Sequence, residues 1–77
     1  MNKTLVQKLN DELRKLGLEC KLVKELSEHF RVNVFENGLV VLENQSVPKV
    51  LQWNKVNNYA KNIKDMVEMK KQLGWVK

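Results

Sequence analysis

His29 is the single histidine of this 77-residue chain, and Cys20 is its single cysteine. An imidazole near its ordinary pKa is the natural general base at neutral pH, and His29 has Ser27, Glu28 and Arg31 close by in sequence. One thiol permits no internal disulfide. With one thiol and one imidazole, neither a cysteine cluster nor a two-histidine metal site can be assembled from this chain. Cys20 reads as a small buried hydrophobe, and its solitary thiol fits a reducing, cytoplasmic compartment. The three glycines, Gly17, Gly38 and Gly74, fall at helix ends or a turn. No Gly-rich phosphate loop and no nucleophile elbow can be built from them. Catalysis is therefore not expected, and neither is a metal or other cofactor.

Charge is the other chemistry on offer. Fourteen basic residues against nine acidic ones give +5 and a pI near 9.5, a balance that suits nucleic acid, an anionic surface or an acidic partner. By segment the net charge is +2 over residues 2–16, −2 over 17–45 and +5 over 46–77. The excess thus sits outside the middle of the chain. Lys8, Lys55, Lys61, Lys64 and Lys71 are the candidate phosphate-contacting residues, with Arg31 in support. Lys61–Asp65 and Lys64–Glu68 are four apart, so ordinary ion pairs on a solvated helix face compete with that reading.

The apolar spacing defines the elements that position these groups. Leu5, Val6, Leu9, Leu13 and Leu16 recur at helical spacing, and Gly17 follows as a terminator. The period then changes to two. Leu18, Cys20 and Leu22 alternate with polar residues, as do Phe30, Val32 and Val34. Asn37-Gly38 is a two-residue hairpin signal leading into a third strand from Leu39 to Glu43. That turn pairs Phe35 with Val40 and Val34 with Val41. A turn over Glu25, Leu26 and Ser27 would set Leu22 opposite Phe30, Cys20 opposite Val32 and Leu18 opposite Val34. Val47 to Trp53 is ambiguous: Pro48 argues against a central strand, and Ser46 is a possible cap for a short helix. From about Asn54 the helical period returns with Val56, Tyr59, Ala60, Ile63, Met66, Val67 and Leu73, and Gly74 ends it.

These elements predict one α+β domain of order α-β-β-β-α, a three-stranded antiparallel meander with both helices on one face. The longest apolar run, Leu39 to Leu42, is far too short to span a bilayer, and the N-terminus has no signal-peptide pattern. In the predicted register Val23, Phe35, Val40 and Leu42 point away from the helices, beside His29, Arg31 and Asn33. A one-sided antiparallel sheet would be polar there. Three occupants can cover such a face: the Val47–Trp53 segment, a second copy of the chain, or a protein partner. Trp53 and Trp75 are expected to pack, Trp75 back onto the first helix, rather than to stack on bases.

The order of elements resembles the fold shared by double-stranded-RNA-binding domains and HicA-type mRNA-interferase toxins. In those toxins a glycine–serine–histidine stretch on an early strand carries a catalytic histidine. Here Leu26-Ser27-Glu28-His29, after "LGLECKLVKE", occupies a similar place, with the glycine missing and Glu28 between serine and histidine. The stretch "NNYAKNIK" has an Ala60-Lys61 step similar to the RNA-binding domains, without their paired lysines before it. Non-catalytic nucleic-acid (RNA or DNA) binding through the basic helices ranks first by a narrow margin. The alternative is a protein-binding accessory or inhibitor, or a homodimer, acting through Val23, Phe35, Val40 and Leu42. A single-histidine ribonuclease using His29, which the toxin resemblance implies, comes third.

Overall fold

The structure is a computed structural model that describes residues 4–74. Trp75, and with it the expected return of that ring to the first helix, lies outside the described residues. Helix α1 spans Leu5–Arg14, strand β1 Glu19–Glu25, β2 His29–Glu36 and β3 Leu39–Pro48. A 3-10 turn over Trp53–Lys55 leads into helix α2, Val56–Gln72. The strands form one antiparallel sheet in the order β1-β2-β3, so the α-β-β-β-α expectation is met.

Helix α1 starts where its chemistry allows. Thr4 caps it: the threonine hydroxyl accepts from the Gln7 N–H at 3.1 Å, and the Gln7 side chain accepts from the Thr4 N–H at 2.9 Å. The helix closes with Leu18 N–H on the Leu13 carbonyl and Gly17 N–H on that of Arg14. That pair of bonds needs a left-handed residue, and Gly17 supplies it at φ +82°. Leu9 and Leu13 then face the sheet with Val56, Ala60, Ile63 and Val67 of α2, all buried. Met66 and Leu73, placed on the same stripe by periodicity, are exposed, so the packed seam of α2 is narrower than the apolar pattern suggests.

The second hairpin opens as expected. Asn37 and Gly38 take φ of 53° and 78°, and Glu36–Leu39 and Phe35–Val40 pair across the turn. Beyond them the register slips: Val34 faces Leu42, not Val41, and Val32 faces Gln45. Strand β3 has one extra residue at each slip, the pattern of two β-bulges. At the first, Val41 and Leu42 both turn inward, with 6% and 2% of their surface exposed. Strict alternation would leave Leu42 in water, forgoing roughly 1.5–3 kcal/mol of burial. At the second, Asn44 adopts φ +52°, a conformation its short polar side chain tolerates. The Asn44 N–H donates to the Asn33 side chain at 3.0 Å, and the Asn44 carbonyl accepts from Arg31 Nη1 at 3.3 Å. The expectation that Leu42 lies on the outer face is therefore corrected: it is core.

The first hairpin is also shifted from its predicted register. Cys20 pairs with Val34 and Leu22 with Val32; a bulge at Val23 then brings Lys24 opposite Arg31. Leu26 N–H donates to the His29 carbonyl, so the tight turn is Ser27-Glu28. A two-residue shift keeps Cys20 and Leu22 on their predicted face, while beyond them the bulge puts Lys24 on the face of Arg31 and Glu25 on that of Phe30. Leu22 nevertheless stays half exposed, because α1 meets the edge strand at Cys20, whose N–H donates to the Asn10 side chain.

Strand β3 runs on through Ser46 and the fully buried Val47 to Pro48, so Ser46 caps no helix. Proline is accommodated at the end of this edge strand. The chain then crosses to the helix side. Leu51 packs against the core, the Tyr59 hydroxyl donates to the Ser46 carbonyl, and Trp53 lies beneath the Lys8 ammonium. Cover of the outer sheet face by residues 47–53 is thereby contradicted.

Leu42→Ala should lower stability by about 2–5 kcal/mol, and Val40→Ala by less than about 1 kcal/mol. Urea unfolding of the two variants measures this. Equal losses would mean that the bulge does not place Leu42 inside.

Candidate interaction surfaces

The six basic residues singled out from sequence do not converge on one surface. Lys8 pairs with Glu12 at 3.2 Å, and its ammonium lies 5.8 Å from the centroid of the Trp53 ring. Lys15 joins the same carboxylate at 3.1 Å. Hydrogen bonds from Lys15 and Lys8 hold the Glu12 carboxyl below the ordinary carboxylate value. Arg31 projects from the middle strand and is engaged with the Asn44 carbonyl. It lies on the face of the sheet opposite the helices.

Lys64 and Lys71 sit one above the other on α2 and meet two carboxylates. Lys64 lies 3.0 Å from Glu68 and 3.8 Å from Glu36; Lys71 pairs with Glu36 and lies 3.8 Å from Glu68. Hydrogen bonding to Lys64 and the nearby charges push the Glu68 carboxyl down, and the Glu36 hydrogen bond pushes the Lys71 ammonium up. Two cations and two anions cancel, so this part of the expected lysine stripe is neutral. Glu36 was not singled out from the sequence. It ends β2 and reaches α2 only because the hairpin delivers it there, and no local pattern announces that contact. Lys55 and Lys61 have no ion-pair partner among the described residues, so the expected Lys61–Asp65 pair does not form.

The outer sheet face differs in character. Val23 and Val40 are 50% and 42% exposed, and Phe35 is half buried beneath Lys21, whose ammonium lies 5.4 Å from the ring centroid. Val23, Lys24, Leu26, Arg31 and Asn44 line an open depression of about 260 Å³. That is smaller than a typical small-molecule pocket and matches the bulk of a side chain or two. The depression exists because both strands around it are bulged: Val23 is the extra residue of β1, and Asn44 belongs to the second bulge of β3.

His29 is exposed at the start of β2, and its ring makes no hydrogen bond among the described residues. Its neighbours are used structurally. The Glu28 carbonyl accepts from the Lys49 N–H, and Lys49 bridges to Glu25 at 2.7 Å while lying over Phe30. Cys20 is buried, and burial pushes its thiol up to about 11, so it stays protonated. Among the described residues no group of three or more His, Cys, Asp or Glu could hold a metal ion, and no helix is long and apolar enough to cross a membrane.

No family model, no curated protein and no solved structure matches the chain. The resemblance to double-stranded-RNA-binding domains and HicA-type toxins accordingly rests on the order of elements and the short stretches at residues 27–29 and 60–61.

Because Glu68 is held below its ordinary value of 4.5, its ion pairs stabilise the fold above that pH and weaken as pH falls through the depressed value. Glu68→Gln should therefore lower Tm at about pH 7 and match the parent chain near about pH 2. A Tm difference independent of pH would contradict the ion-pair assignment.

Proposed function

We propose that the protein is a small binding module whose working surface is the outer face of the sheet, where it docks a protein partner. The observation that carries this reading is that both helices and residues 47–53 pack on the other side, leaving Val23 and Val40 exposed and Phe35 half buried under Lys21 alone. Phe35 sits beside Val40, and Val23 lies further along the sheet past Lys21 and Asn33; apolar side chains left open on a sheet face are the usual signature of an interface. The interface set is the one expected from sequence, less Leu42. An accessory or inhibitory role, exerted by occupying a partner's surface, requires nothing more than such a face.

Nucleic-acid binding is the second reading. Lys55 and Lys61 support it, being without carboxylate partners among the described residues on the segment that carries the +5 excess. Its weight is reduced by the neutralised Lys64 and Lys71, by the pairing of Lys8 with Glu12, and by the place of Arg31 on the opposite side of the sheet. Phosphate contacts by two or three lysines would give weak, strongly salt-dependent binding.

Photocrosslinking separates the two. With benzoylphenylalanine at position 40 or 61, in the chain expressed in its source cells, position 40 should give discrete protease-sensitive adducts that Val23→Asp abolishes. A nuclease-sensitive adduct from position 61, with none from position 40, would overturn the protein-docking reading and establish the second.

A further inference from the structure

The depression between the two bulges carries chemistry beyond the mere presence of an apolar face. Its apolar lining is Val23 and Leu26, and its charged lining is Lys24 and Arg31, with no carboxylate among the lining residues. Neither Lys24 nor Arg31 has an ion-pair partner among the described residues. Arg31 spends one N–H on the Asn44 carbonyl, and the rest of its fork remains. Lys21 stands two residues before Val23 on the same face, above Phe35. Glu25, the next acidic residue along the strand, is occupied by Lys49 at 2.7 Å. The lining itself is therefore cationic, although residues 17–45 as a whole carry −2 and the exposed Glu28 and Glu43 are close in sequence to Leu26 and Asn44.

We infer that this depression is the recognition site for an acidic protein segment, one that inserts a single apolar side chain between Val23 and Leu26 and sets its flanking carboxylates on Lys21, Lys24 and Arg31. The inference rests on the docking reading above and specifies its partner. Charge complementarity selects this occupant over the two others. A second copy docked through the same patch would bring its own Lys24 and Arg31 against this set, and like charges facing across an interface are costly. A nucleic-acid strand would set phosphates on the same cations but leave the apolar Val23 and Leu26 lining unfilled, and its bases would find the Phe35 ring face covered by Lys21. Arginine's planar fork suits a carboxylate in a bidentate contact, and the volume of about 260 Å³ admits one large apolar anchor.

The test is selection of a displayed random twelve-residue peptide library on the immobilised full chain. Binding of selected peptides is then measured to the parent chain, to Lys24→Glu, to Val23→Ser, and to a single-stranded oligonucleotide-saturated sample. Circular dichroism confirms that each variant is folded; both substitutions are at exposed positions. The expected result is a consensus with at least two Asp or Glu around one Leu, Ile, Phe or Trp, weakened about tenfold or more by Lys24→Glu and also by Val23→Ser. Binding should decline with salt. An apolar consensus without acidic residues, lost in Val23→Ser and unchanged in Lys24→Glu, would overturn the acidic-partner inference and leave the docking face standing. Peptides indifferent to both substitutions, or no enrichment at all, would overturn both. Competition by the oligonucleotide through the same residues would assign the patch to nucleic acid, and a concentration-dependent dimer abolished by Val23→Ser would assign it to a second copy. Either result overturns the inference.

Discussion

Two helices can cover only one face of a three-stranded sheet, and the bulges of β3 settle which side chains receive that cover. The first bulge turns Val41 and Leu42 inward together, adding a leucine to a core that has few large side chains to spare. A chain this short buries a modest fraction of its surface, so one leucine is a substantial part of the whole. The second bulge is held by polar contacts. Asn33 takes the Asn44 N–H and Arg31 takes its carbonyl, so the left-handed asparagine is tied from the solvent side of the sheet. Arg31 and Asn44 also line the region where the outer face is indented. Packing on one side of the sheet follows from the first bulge of β3, and relief on the other accompanies the second together with the bulge of β1.

Charge shows how composition and surface diverge. A net +5 suggests a basic stripe, yet Lys8, Lys64 and Lys71 are spent on neighbouring carboxylates. Glu36, arriving from the end of β2, is bracketed by Lys64 and Lys71, and Glu68 closes the cluster. These pairs are partly solvated and contribute little individually. Their larger effect is on what the surface presents: four charged groups that cancel where an anion would otherwise meet two cations. On the sheet, Lys24 and Arg31 stand without carboxylate partners among the described residues, in the segment whose overall sign is negative.

Much of the fold was legible in the sequence because its strongest signals are local. Leu9 and Leu13 at helical spacing, Gly17 after them and Asn37-Gly38 between alternating runs each translate directly into backbone geometry. The bulges were not legible to a period-two reading, which assigns one residue to each partner. A hint was present in the unbroken run Leu39 to Leu42, which cannot all alternate, and in an asparagine embedded in a strand. Leu42 was consequently placed outside. The fate of residues 47–53 was open because Pro48 disfavours a central strand but not the end of an edge strand, and the final strand order decides which of these applies. The site was half legible: Val23, Phe35 and Val40 were found by alternation. The contributions of Lys24 and Asn44 to the depression, like the Glu36 cluster, depend on register and long-range approach, which no local window contains.

The most direct test of the account is solvent paramagnetic relaxation of methyl resonances, using a neutral gadolinium chelate with the isolated chain at dilute concentration. The methyls of Val23 and Val40 should broaden strongly, while those of Val41, Leu42 and Val47 should be protected. Protection of Val23 and Val40 to the level of Leu42 would mean that the chain already covers its outer face, and the claim that this face is left for a partner would be wrong.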